Sequence, residues 1–137
     1  MKSLIILYSY HHHNTEKVAK SIAEILDAEI KWPEQINPKD IQYYDLVGFG
    51  SGIYGSKHHE SILEFTDELL QTTGKKTFIF STCGAPIAIG GQKMLDDYVI
   101  ECHSLLREKL KVKGYLVIDE LFVQVSTPIV FSGSLGV

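Results

Sequence analysis

The chain has 137 residues, 45% of them hydrophobic and 22% charged, with a formal net charge of −4. This suits one folded domain with a full core and excludes a mainly disordered chain. Mild acidity without a long basic block argues against nucleic acid or an anionic membrane surface as the main partner.

Two cysteines, Cys83 and Cys102, are too few for a disulfide framework, and their spacing fits no common zinc pattern. A reducing cytoplasm is the expected compartment. No apolar stretch approaches the roughly 20 residues that a membrane helix needs. The short apolar run near the start breaks at once into Ser9, Tyr10 and His11, so it reads as a strand and not as a signal peptide.

Residues 4–8 are continuously apolar, as expected of a strand covered on both faces. Val18, Ile22, Ile25 and Leu26 then form one helical stripe, with Asn14 as its expected N-cap and Glu16 at the positive end of the dipole. Residues 28–32 read as a short edge strand, after which Pro33 and Pro38 enforce a connection. Residues 45–50 are the next buried strand, followed by a glycine-rich loop over 51–56. Ser61 and Glu64 have capping-box spacing, and Ile62, Phe65, Leu69 and Leu70 stripe a second helix that Gly74 closes. Residues 77–81 form another strand, ending in a loop over 82–86. Leu95, Tyr98, Val99, Cys102, Leu105, Leu106 and Leu110 stripe a long third helix stopped by Gly114, and 115–118 is the last clear strand.

Strands that alternate with helices predict a three-layer α/β/α sandwich around a doubly wound parallel sheet. Ligands of such sheets bind beyond the carboxyl ends of the strands, where three loops gather. The first offers Ser9, Tyr10, His11, His12, His13, Asn14 and Thr15, and its backbone N–H groups, hydroxyls and helix N-terminus suit a phosphate. Neither GxxxxGK[ST] nor GxGxxG is present, which disfavours a nucleoside triphosphatase and a dinucleotide. The second loop offers Ser51, Gly52, Ile53, Tyr54 and Gly55, with Tyr54 as a stacking ring. The third offers Ser81, Thr82, Cys83 and Gly84, whose backbone could bond the edge of a heterocycle. Together they suggest a mononucleotide with a planar head.

These stretches resemble the flavodoxin family. SYHHHNTEKVA is similar to its phosphate loop, DLVGFGSGIYG to the strand and aromatic loop beside the flavin, and FIFSTCG to the strand and loop on the flavin's other side. The resemblance covers residues 2 to about 120. It implies a five-stranded sheet of order 2-1-3-4-5, FMN as cofactor, Ser9 to Thr15 on the phosphate, Tyr54 on the isoalloxazine, and 51–55 and 81–84 at its edges. The sequence departs from the family pattern at His12 and His13, where that pattern has Thr and Gly. The third loop also lacks a second stacking aromatic.

The last stretch, LFVQVSTPIVFSGSLGV, departs further, because it shows no amphipathic stripe where a final helix is expected. Residues 1–121 therefore read as the domain and 122–137 as an atypical tail. Shifting the codons of 122–137 so that each begins on the third base of the old one gives, with suitable codon choices, CPGFDTYSFLRVLGG. That string resembles the segment after the fifth strand in flavodoxin-like proteins, so the tail is expected to be read out of frame. A chain lacking its last helix would expose a sheet face and self-associate.

The expected function is an FMN-binding electron-transfer protein with no catalytic side chain of its own, working with a redox partner protein or a small acceptor. The alternatives are an FMN-dependent NAD(P)H:quinone-type reductase on the same fold and a non-flavin module such as a receiver. A receiver would need acidic residues where Tyr8, Ser9, Gly50 and Ser51 stand. A metal site joining His11, His12 and His13 to His58 and His59 ranks below a solvated histidine loop around phosphate, so no metal is expected.

Overall fold

The computed structural model describes residues 1–9, 14–83, 92–124 and 130–132. Its elements are β1 (Ser3–Leu7), α1 (Asn14–Leu26), β2 (Ala28–Lys31), two 3₁₀ turns, β3 (Leu46–Gly52), α2 (Glu60–Asp67), β4 (Lys75–Cys83), α3 (Gln92–Val112), β5 (Tyr115–Gln124) and β6 (Val130–Ser132). The sheet order is β2-β1-β3-β4-β5-β6. The first five strands run parallel and β6 pairs antiparallel with β5. The five parallel strands thus have the expected order 2-1-3-4-5 with helices on both faces. β6 is an addition that lies in the stretch 122–137.

β1 shows why its sequence is continuously apolar. Leu4 and Ile6 enter a core with α2 and α3, while Ile5 and Leu7 enter a second core with Val18, Ala19 and Ile22 of α1. A strand that alternates between two apolar layers has no polar face to display. The link between β2 and β3 is made by the turns Pro33–Gln35 and Pro38–Tyr43, with the Asn37 side chain accepting from the Lys39 N–H.

Several sequence expectations shift. α1 buries Thr15, Val18, Ala19 and Ile22 and leaves Ile25 exposed. α2 is capped by His59, whose ring accepts from the Ser61 N–H, so the predicted cap at Ser61 lies two residues late. α2 ends well before Gly74, and Leu70 and Leu105 face solvent. The strands also outrun their predicted ends. Ser51 and Gly52 belong to β3, Thr82 and Cys83 to β4, and β5 continues six residues past Ile118. Phe122 and Val123 are buried, so the division after residue 121 falls inside β5.

An irregularity explains the hidden half of β5. Thr77 pairs with Val117 but Phe78 pairs with Asp119, so one extra residue is inserted at Ile118. A single insertion moves all later side chains to the other face. Tyr115 and Val117 therefore face the α2–α3 layer, whereas after the bulge Leu121 and Val123 face the α1 layer. Glu120 is turned toward α3.

β3 and β4 meet as rings over glycines. Gly50 pairs with Phe80, and a Cβ built on Gly50 would lie 2.2 Å from Phe80 Cζ, with Gly48 in the same relation to Phe78. Both phenyl rings are fully buried and have nowhere to retreat. Gly50→Ala is therefore expected to destabilise the fold by about 1–3 kcal/mol, read as a lower denaturation midpoint. Adding Phe80→Leu should recover part of that loss, and strict additivity of the two substitutions would contradict the contact.

Candidate functional site

Parallel register brings the candidate residues to one end of the sheet. Leu7 pairs with Gly50, Ser51 with Ser81 and Gly52 with Thr82, so the ends of β1, β3 and β4 lie side by side. Ser9 follows β1, and Asn14 and Thr15 open α1. Tyr10, His11, His12, His13 and Gly84, with the side chain of Cys83, lie outside the described residues.

The hydroxyls at this end hold the frame together. Ser9 Oγ accepts from the Glu16 N–H at 3.3 Å, capping the first turn of α1, a role expected of Asn14. Thr15 Oγ1 and Thr82 Oγ1 are hydrogen-bonded at 2.8 Å, which ties the start of α1 to the end of β4. Ser51 Oγ accepts from the His59 N–H at 2.9 Å and donates to the Gly52 carbonyl at 2.6 Å. Ser51 and Ser81 are fully buried, so what these two positions offer a ligand is backbone.

Tyr54 sits on a tight hairpin. Its N–H donates to the Lys57 carbonyl at 2.7 Å, Ile53 bridges His58, and Gly55 and Ser56 both have positive φ, 58° and 64°. Two left-handed residues at the centre make the turn that fits the twist of paired strands. Tyr54 is 37% exposed, and its ring meets that of His59 edge to face at 5.0 Å between centroids. His59 stacks flat on Tyr8, with 3.6 Å between centroids and 2° between planes, and Tyr8 meets Trp32 edge-on at 5.8 Å. Tyr8, His59 and Trp32 thus belong to the wall that carries Tyr54. Their chain spacing, 8, 32 and 59, gives no hint of it.

A polar cluster lies behind this wall. His58 Nε2 donates to the Phe80 carbonyl at 2.8 Å, while its buried Nδ1 has no partner. His103 contacts Ser81 Oγ through Nε2 at 2.7 Å and Glu120 Oε1 through Nδ1 at 3.0 Å. Arg107 donates to both Glu120 oxygens at 2.7 Å. Burial pushes the Glu120 carboxyl up, but hydrogen bonds from His103 and Arg107 prevail and lower it to about 2. Burial, and then His103, lower His58 to about 3. Burial also lowers His103 against the pull of Glu120, which leaves Arg107 as the cation that keeps Glu120 ionised. His58 and His59 point to different partners, and the described residues hold no group of three or more His, Cys, Asp or Glu able to bind a metal. A depression of about 430 Å³ lined by Lys2, Lys31 and Tyr44, among others, lies over the β2 edge, away from these strand ends. No described helix is long and apolar enough to cross a membrane.

A doubly wound α/β/α sheet with a helix N-terminus, two strand ends and an aromatic hairpin gathered at one end belongs to the class of folds whose ligands bind beyond the carboxyl ends of the strands. The chain belongs to the flavodoxin-domain family, whose model matches residues 5–113. An uncharacterised protein of Methanocaldococcus jannaschii is 48% identical over 120 residues, which span 88% of this chain and 73% of that protein. Oxidised flavodoxin 2 of Bacillus cereus has a TM-score of 0.69 at 22% identity, covering 92% of this chain and 86% of its own. Oxidised flavodoxin 1 of the same organism has 0.68 at 23%, with the same coverage. These two likenesses establish the fold.

The buried histidines make stability depend on pH. Below about 6.5 an unfolded His58 takes a proton that the folded protein refuses until about pH 3, so stability falls as pH drops through that window. Glu120 adds a second loss below its ordinary value of 4.5, continuing toward 2. Each such group contributes a slope of about 1.4 kcal/mol per pH unit. Thermal or urea unfolding of His58→Gln, which keeps a donor for the Phe80 carbonyl, should show a shallower decline between pH 6 and 5 than the parent. An unchanged slope would mean that His58 is not held neutral.

Proposed function

We propose that the chain binds FMN at the ends of β1, β3 and β4 and works as an electron-transfer protein. The observation that carries this is the meeting of the α1 N-terminus with the paired ends of β3 and β4, beside a ring carried on a tight hairpin that follows β3. The donor set suits the group. Ser9 to Thr15 would hold the phosphate, where α1 supplies N–H groups and a positive dipole end. Residues 51–55 and 81–84 would meet the ring edges through backbone, since the Ser51 and Ser81 hydroxyls are already committed inside. Tyr54 would stack on one face.

FMN, when bound, supplies the one- and two-electron chemistry, and the protein sets its binding and local field. Ser9 and the Thr15–Thr82 bond hold the phosphate helix against the strand ends. The hairpin keeps Tyr54 in place before a ligand arrives, which lowers the ordering cost of binding. The acidic balance of −4 suits docking on a basic redox partner. Turnover of NADH with a quinone, without a protein partner, would favour the reductase reading.

Purified protein mixed with FMN and passed through a desalting column should carry flavin absorption with it. Flavin eluting apart from the protein would overturn the proposal. Tyr54→Ala should weaken FMN binding by about tenfold, roughly the value of one aromatic stacking contact, with the unfolding midpoint of the flavin-free protein little changed. Equal affinity would remove Tyr54 from the site.

A further inference from the structure

Ser81, His103 and Glu120 stand in the order hydroxyl, imidazole, carboxylate, with separations of 2.7 and 3.0 Å. Triads that activate a serine nucleophile share that order. Here, however, Ser81 is wholly buried within β4 and Arg107 occupies both oxygens of Glu120. The arrangement fixes a proton instead. Ionised Glu120 can only accept, so Nδ1 of His103 carries the hydrogen and Nε2 is the bare acceptor of the Ser81 hydroxyl.

Ser81 gives this imidazole a freedom that its neighbour lacks. A serine hydroxyl has one proton to give and lone pairs to receive. If Nε2 of His103 gains a proton, the hydroxyl turns and accepts from it, so no imidazole N–H is left bare while the Ser81 O–H gives up the ring as its acceptor. His58, 4.9 Å away between ring centroids, has Nε2–H committed to the Phe80 carbonyl and Nδ1 without a partner. A proton on that Nδ1 would be buried and unpaired, which is costly. Of these two buried rings, His103 is the one that can become cationic with both of its N–H groups hydrogen-bonded and a carboxylate beside it. It is also one hydrogen bond from β4 residue Ser81, next to Thr82, which ties to α1.

We propose that His103 is the proton-accepting group of the ligand site: it takes a proton from bulk water at Nε2 when negative charge arrives at the end of β4 and releases it when that charge leaves. This rests on the FMN reading above. The electron comes from a reductant in solution, and the one bond formed in the protein is N–H. The charged and titratable groups around His103 are Glu120 from β5, Arg107 from α3 itself and His58 from the segment before α2, while β4 presents neutral Ser81. Burial keeps His103 neutral at pH 7 in the resting protein, and a nearby negative charge raises its proton affinity.

Imidazole nitrogen-15 NMR tests this on three samples of the full chain: flavin-free, loaded with FMN, and loaded then reduced anaerobically with dithionite. The flavin-free protein should show a neutral His103 ring with hydrogen on Nδ1. Reduction should raise its pKa by about one unit, a tenfold gain in proton affinity. Glu120→Gln keeps an acceptor for Nδ1–H but removes the charge, and should abolish proton uptake at pH 7. If that variant does not fold, the comparison of the two loaded samples decides. Hydrogen on Nε2 in the flavin-free protein, or the same pKa before and after reduction with FMN bound, would overturn the proposal while leaving FMN binding intact. A chain from which flavin elutes separately overturns both.

Discussion

Polar side chains at the ends of two fully covered strands must find partners inside the protein, and much of this molecule is arranged around that requirement. Close to their ends β3 and β4 carry Ser51, Ser81 and Thr82, all buried. Each unpaired group there would cost about 1–3 kcal/mol. The three are satisfied in three directions: Thr82 toward α1, Ser81 toward α3 and Ser51 toward the backbone of His59. Helices on opposite faces of the sheet are thereby held to the same pair of strand ends. The loops that leave these ends begin from fixed points, as a preformed site requires.

The aromatic wall works by the same logic with softer contacts. Tyr8 continues the pairing of β1, donating its N–H to the Gly50 carbonyl at 3.1 Å, and its ring lies flat against His59. His59 caps α2 with the same ring, because its Nδ1 accepts from the Ser61 N–H. One imidazole thus links the start of a helix, the end of β1 and the edge of Tyr54. Burial lowers the proton affinity of His59 against the pull of Glu60 and Glu64. A neutral ring is the form that can accept at Nδ1 while stacking.

Much of the architecture was legible because burial leaves a plain mark on composition. β1 had to be apolar throughout, α1 had to repeat Val18, Ile22 and Leu26, and the loops carrying Ser9, Tyr54 and Thr82 had to fall at the same end of a parallel sheet. The illegible part depends on events without a local signature. The bulge at Ile118 reverses the faces of β5, so a stretch that looks like the end of a strand continues as core. The same reversal brings Glu120 to His103, a pair 17 residues apart that no spacing rule marks. His59 as a helix cap and His58 as a buried donor were hidden because adjacent histidines look like a solvent-facing or metal-binding pair.

The glycines of β3 have a consequence for how this sequence can change over generations. Phe78 and Phe80 occupy the space that side chains at positions 48 and 50 would need. No single codon change to a larger residue at either glycine fits beside the ring that is present. A lineage that gives up one of these glycines must first shrink the ring across the strand, passing through a form with a cavity in the α1 layer. Each ring and its glycine are therefore inherited as a pair, although 30 residues of chain separate them.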